Sequence, residues 1–225
     1  MPLLPAGTTA GRHRYGVVLA LAITTVVFLI VAPDEAGSRA VGLLISAAML
    51  IVVIATSRVD RALRETSAGA VAVAAIAIGA GVVAHILPKW FAGAAAAAIV
   101  LATVIEVVRG IARLLRSQGV TVPAVAGAVA VYLLLGILFA FTIVVAAKAG
   151  GGHYFAQGTD GSESQDVYFS FTTMTTTGYG DLSPAGRGGR ALAVLEMLTG
   201  QIYLVTVISL LVGNLRRRGG DAGTT

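Results

Sequence analysis

The stretch TTMTTTGYGDLSP, residues 172–184, packs five threonines, two glycines and a tyrosine together, and it carries no charge before Asp181. It lies between two of the most apolar segments of the chain, Val122–Ala147 and Ala191–Leu215. Hydroxyls and main-chain polar groups need water or hydrogen-bonding partners. At membrane depth, non-helical backbone persists only where protein surrounds it or where it lines a water-filled path. The meaning of the stretch therefore turns on whether its neighbours sit in lipid.

Composition says that they do. Of 225 residues, 56% are hydrophobic and only 12% are charged, against about 25% charged in soluble domains. The mean hydropathy is +0.87. A chain this poor in charge cannot cover itself for water. Six segments are apolar and long enough to cross about 30 Å of hydrocarbon: 15–32, 40–56, 68–87, 90–108, 122–147 and 191–215. They are rich in Ala and Leu and lack alternation of period two, so helices are expected and strands are not. The first is too long for a signal-peptide core, and we read it as a retained helix. There is no cysteine, which excludes disulfides and thiolate metal sites, and His13, His85 and His153 are too scattered for a metal cluster.

The formal charge of +5 resembles a nucleic-acid signal, but its distribution follows membrane topology instead. With the N-terminus in the cytoplasm, eleven Lys/Arg fall inside: Arg12 and Arg14, three in loop 57–67, three in 109–116 and three in the tail. Five fall outside: Arg39, Lys89, Lys148, Arg187 and Arg190. Both termini are then cytoplasmic, the protein is a multi-pass cell-membrane protein, and the Thr/Gly stretch faces outward. The lipid bilayer is an expected partner and nucleic acid is not. Between Ala149 and Arg190 a polar, acidic run precedes VYFSFTTMT, which is too short to span and is the right length for a re-entrant half-helix capped by Ser164 or Asp166.

TTGYGD, from Thr176 to Asp181, resembles the selectivity filter of potassium channels, whose signature is Thr-Val-Gly-Tyr-Gly-Asp. YFSFTTMTTTGYGDLSP is similar to the pore helix, filter and outer mouth of the bacterial and two-pore-domain branch of that superfamily. The likeness covers about the last hundred residues. It implies an all-α membrane protein of six helices with a pore helix and filter loop between the fifth and sixth. The units expected are a cytoplasmic N-terminus (1–14), a four-helix membrane domain (15–108), an amphipathic cytoplasmic linker (109–121), a pore domain (122–215) and a short cytoplasmic tail (216–225).

The resemblance also assigns roles. In potassium channels the main-chain carbonyls of the filter replace the water shed by K+, which by resemblance gives that role to Thr176, Thr177, Gly178, Tyr179 and Gly180. K+ is then expected at Thr176, Thr177, Gly178 and Tyr179. Glycine permits the positive φ such a strand needs. The side chains of Thr177 and Tyr179 brace the strand against the pore helix, and Asp181 fixes the outer mouth. Thr177 stands where valine is commoner. Thr172 stands where some relatives carry a glutamate, so carboxylate coupling at that filter-support position is not expected. One such loop cannot enclose an ion, which implies a homotetramer. Four copies of Asp160, Glu163, Asp166 and Asp181 then make the mouth electronegative, the alternative for the first three being a merely solvated loop.

Gly200 lies midway along the last span, as a gating hinge or as a close-packing glycine. Glu196 is one turn earlier, and a carboxyl inside a span is functional or paired. We expect it to support the pore helix through Thr173, Thr175 or the filter backbone, the alternative being direct contact with the ion. Segment 90–108 has no arginine, so intrinsic voltage sensing is expected to be weak or absent. Glu106 is placed to pair with Arg109 or, less locally, with Arg113. His85, near Pro88, is expected to hydrogen-bond at a helix end. AIGAGVVA, residues 77–84, mimics a dinucleotide fingerprint but lacks the strand–turn–helix setting that motif requires.

These readings converge on a potassium-selective channel subunit that conducts passively, is not an enzyme and uses no cofactor beyond the permeant ion. The alternatives are a non-selective cation channel or, less favoured, a potassium transporter subunit. No regulatory partner is identifiable from the sequence.

Overall fold

The computed structural model describes residues 10–55, 61–149, 152–209, 211 and 213. The tail 216–225 lies outside them. Among the described residues seven α-helices follow one another: α1 (Ala10–Val31), α2 (Ala36–Ala55), α3 (Arg61–Val83), α4 (Lys89–Gln118), α5 (Val122–Ala149), α6 (Glu163–Met174) and α7 (Arg187–Ile202). A π-helical turn, Tyr203–Ile208, continues α7. Five of the described helical stretches are long and apolar enough to cross a membrane: Ala36–Ala55, Glu65–Val83, Trp90–Gln118, Val122–Ala149 and Arg187–Ile208. The first of the six expected spans, Tyr15–Val31, is apolar but shorter.

Local chemistry sets several boundaries. α3 stops where His85 takes a φ of 55°. The Ile86 and Leu87 N–H groups then donate to the Gly81 carbonyl, closing the helix end. His85 thus serves a helix end, as expected, but through its backbone. α4 does not stop at Val108. It runs on through Arg109, Arg113 and Arg116 to Gln118, and Gly119 (φ 68°) caps it by donating to Leu115 O. The segment expected as a separate linker is therefore the end of α4 plus a three-residue turn. Glu106 accepts from Arg109 at 2.8 Å, as the spacing suggested.

α5 is the mast of the fold, touching α1, α4, α6 and α7. Its Val131, Leu134 and Ile137 are buried in the main core with Val100 and Val107 of α4 and Val18 of α1. Glycines mark the closest crossings. A Cβ at Gly127 would stand 2.8 Å from the Tyr15 ring and 3.1 Å from Ile111, and one at Gly136 would stand 2.7 Å from the Phe171 ring. Close backbone approach of this kind is how helices pack where lipid offers no hydrophobic drive.

Gly127→Val should therefore destabilise the α1–α4–α5 crossing by about 1–3 kcal/mol, the usual cost of overpacking. Gly16→Val, at a helical position with no neighbour within 4 Å, is the control. Thermal melting of the detergent-solubilised protein should separate the two, and equal midpoints would contradict this packing.

Candidate functional site

α6 has 12 residues, which at 1.5 Å per residue is about 18 Å and too short to span. Its N-cap is Ser162, not Ser164 or Asp166. Gln165 N–H donates to Ser162 Oγ while Ser162 N–H donates to Gln165 Oε1, a reciprocal capping box. Ser164 instead donates to the Ile30 carbonyl at the end of α1, at 2.9 Å. Asp166 is buried beneath Gly161, where any Cβ would lie 2.5 Å from its Oδ1.

The C-terminal end of α6 turns straight into the Thr/Gly stretch. A helix end leaves carbonyls without intrahelical partners, and here the stretch itself supplies the donors. Thr176 N–H donates to Thr173 O, while Thr177 and Gly178 N–H both donate to Thr172 O, at 2.8 and 3.1 Å. The Thr172 side chain points away, donating to Phe169 O. Its support of the stretch is thus a main-chain matter.

Beyond that turn, φ is positive at every second residue: 59° at Thr176, 51° at Gly178 and 81° at Gly180. Thr177 and Tyr179 between them do not share it. Glycine accepts this freely. For β-branched Thr176 it is an outlier, worth about 1–3 kcal/mol of strain that neighbours must hold. One such neighbour is Gln201 of α7, whose Nε2 donates to Thr176 Oγ1 at 3.2 Å. The Thr177 and Thr175 hydroxyls bond at 2.9 Å. The Tyr179 ring stacks on Tyr168 of α6, with centroids 6.3 Å apart and planes 5° from parallel. The Tyr168 side chain also lies close to the Asp181 carboxyl. Thr177 and Tyr179 thus lean toward the short helix as expected. Residues 175–181 are nonetheless exposed in the single chain.

After Asp181 the chain is bolted to the preceding loop. Ala156 N–H donates to Ser183 O and Ala185 N–H to Tyr154 O, both at 2.8 Å. Asp160 Oδ1 accepts from Tyr154 N–H at 3.0 Å. Burial, and then the nearby Glu196 and Asp166 carboxyls, push the Tyr154 phenol above its usual range. The acids expected to charge the mouth are mostly engaged elsewhere: Asp166 is buried, Glu163 meets Arg39 at 3.5 Å and Asp160 anchors the loop. Of the four, Asp181 stays exposed beside the stretch.

Glu196 is completely buried. Its partner is Ser170, not Thr173 or Thr175: Ser170 Oγ lies in hydrogen-bonding contact with Glu196 Oε1 and also donates to Gly136 O at 2.7 Å. Helices α5, α6 and α7 thereby meet at one hydroxyl. Gly200 faces the same region, and a Cβ there would overlap the Met174 carbonyl oxygen. α7 passes through Gly200 unbroken, so the close-packing role has a direct geometric basis.

Sequence reasoning missed Tyr168, Ser170 and Gln201. The signal for Gln201 was present: a polar side chain inside an apolar span has the same significance as Glu196. Ser170 lies four residues after Asp166, on one helical face, but nothing in the sequence paired it with Glu196.

The family model described as "Ion channel" matches residues 131–217, which take in most of α5, all of α6, the Thr/Gly stretch and α7. That match supports an ion channel embedded in a membrane. No curated protein matches the chain, and no solved structure does.

Two substitutions separate the roles here. Ser170→Ala leaves the buried Glu196 without its donor and should cost about 1–3 kcal/mol, whereas Glu196→Gln, whose amide oxygen can still accept from Ser170, should cost less. Gly200→Ala should lower the thermal midpoint far more than Gly213→Ala, whose Cβ meets nothing within 4 Å. If Gly200→Ala melts like wild type while altering opening, Gly200 acts as a hinge and not as a contact.

Proposed function

We propose that four copies of this chain form a potassium-selective pore in the cell membrane and conduct K+ passively down its gradient. The observation that carries this reading is the alternation of positive φ at Thr176, Gly178 and Gly180. Backbone that alternates in hand gathers successive N–H groups on one side, which leaves the carbonyl oxygens for the other. A row of such oxygens on one side can stand in for the hydration shell of a cation.

Exposure supports the fourfold part. The stretch is open to solvent in the single chain, and an ion cannot be enclosed by one strand. On α7 and its continuation, Val194, Leu195, Leu198, Ile202 and Val205 are also exposed, at 47–65%. They recur at helical spacing and form one apolar stripe. Bringing four stripes and four strands to a common axis covers both. The C-terminal end of α6 adjoins the inner end of the strand, and the partial negative charge of a helix C-terminus favours a cation there. In this arrangement Thr176 to Gly180 contribute the ion sites. Thr172, Asp181 and Glu196 support them, and both termini are cytoplasmic.

Reversal potentials under bi-ionic K+/Na+ conditions in planar bilayers test the proposal. Wild type should prefer K+ strongly, and Gly178→Ala, which places a Cβ where φ is 51°, should lose conduction or selectivity. Equal permeability of the two ions in the intact protein would leave a non-selective cation channel instead.

A further inference from the structure

A cavity of about 330 Å³ opens where the α1–α2 corner, the start of α4, the end of α5 and the start of α6 come together. Its polar walls carry both signs of charge. Asp34, Asp160, Glu163 and Asp166 supply carboxylates, and Arg39, Lys148 and His153 supply basic groups. Its apolar walls are Trp90, Val144 and Ala147. Part of the charge is already matched: Arg39 meets Asp34 at 2.5 Å and Glu163 at 3.5 Å, and His153 Nδ1 meets Asp160 Oδ1 at 3.5 Å. Lys148 makes no ion pair among the described residues and is exposed.

We propose that this cavity binds the headgroup of a zwitterionic phospholipid carrying a primary ammonium, of the phosphoethanolamine type. A simple anion is disfavoured, because among the described lining residues four carboxylates stand against two permanent cations. A metal ion is disfavoured too, since no three His, Asp or Glu among the described residues are placed to hold one. A zwitterion matches both signs. Its phosphate suits Lys148 and His153, and its ammonium suits Asp34 and Asp160. A primary ammonium donates charge-assisted hydrogen bonds to carboxylates, which a quaternary one cannot.

A lipid is favoured over a free zwitterion because of where the cavity lies. Lys148 and Trp90 are at the ends of two membrane-length helices, where Lys and Trp settle at the lipid–water boundary. Val144 and Ala147, in the turn of α5 before Lys148, face the cavity and offer an apolar wall on the side toward the hydrocarbon. The volume sits at the small end of ligand pockets and suits a headgroup more than a whole amphiphile.

The site is joined to the conduction stretch. Asp160 lines the cavity and also holds Tyr154 N–H, and Tyr154 O accepts from Ala185 N–H, four residues past Asp181. An ammonium drawn to Asp160 therefore pulls on the loop that anchors the outer end of the stretch.

The test is lipid retention by the full-length protein in nanodiscs containing equal phosphatidylethanolamine, phosphatidylcholine and phosphatidylglycerol, read by native mass spectrometry. Wild type should retain the ethanolamine lipid roughly tenfold over the others, the worth of one charge-assisted hydrogen bond. Asp34→Asn, at an exposed position, should abolish the preference for the ethanolamine lipid, whereas Lys148→Ala with His153→Ala should weaken retention of all three lipids, since each carries the phosphate. Equal retention of all three lipids, preference for choline, or an unaltered preference in Asp34→Asn would each overturn the proposal. So would displacement of the lipid by soluble phosphoethanolamine at millimolar concentration, which would identify a free zwitterion as the occupant. This binding measurement does not depend on K+ selectivity, so it can fail or succeed independently of the channel reading.

Discussion

The main-chain oxygen of Thr172 receives two N–H groups, from Thr177 and Gly178. That bifurcated cap is the constraint from which the geometry of the stretch follows. A helix must end with free carbonyls, and in this fold the strand that follows satisfies them by folding back at once. Folding back within so few residues requires Thr176 to take a positive φ, and the alternating hand that results places glycine at 178 and 180. The strain at Thr176 is held from two sides, by the end of α6 through Thr173 O and by Gln201 of α7. The strand is thus held in shape by hydrogen bonds on its helix side, while residues 175–181 stay exposed in the single chain.

Behind the short helix lies a different kind of support. Ser170 has one hydrogen and two acceptor neighbours, Gly136 O and Glu196 Oε1. A buried polar group without a partner is costly, so the three helices that meet at this hydroxyl are penalised for separating or sliding. Apolar contacts there, such as Phe171 and Met174 against Gly136 or Met174 against Gly200, tolerate small shifts more readily than a hydrogen bond does. The polar joint therefore fixes the register of α6 against α5 and α7, and through α6 it fixes the cap at Thr172.

What the sequence disclosed follows a physical rule. Long apolar runs report burial in lipid through composition alone, so the membrane helices and their order were legible from 40–56 through 191–215. The glycines of the stretch were legible because few other residues tolerate positive φ. Helix ends were less so: α4 continues past Val108 because its arginines lie on an exposed face while Ile111 still packs against the core, and hydropathy sees only the lost apolar average. The cap at Ser162 was missed because Ser162, Ser164 and Asp166 are all good cap residues. Only the return bond from Gln165 distinguishes them. The Ser170–Glu196 contact joins residues 26 apart, and a single sequence carries no signal for such a pairing.

The N-terminal helices can be understood from the same contacts. Ser164, in the first turn of α6, donates to the Ile30 carbonyl of α1, and Glu163 beside it meets Arg39 of α2. Both bonds reach the start of the short helix, opposite the end capped at Thr172. α6 is therefore held at its N-terminal end by α1 and α2, at its middle by α5 and α7, and at its C-terminal end by the stretch it supports. Among the described residues the arginines of α4 make no such contact: Arg109 pairs with Glu106 and Arg113 with the Arg109 carbonyl, all within their own helix. In this fold the first two helices buttress α6 directly. α5, which packs on both α4 and α6, is one element through which a movement of the basic end of α4 would reach the stretch.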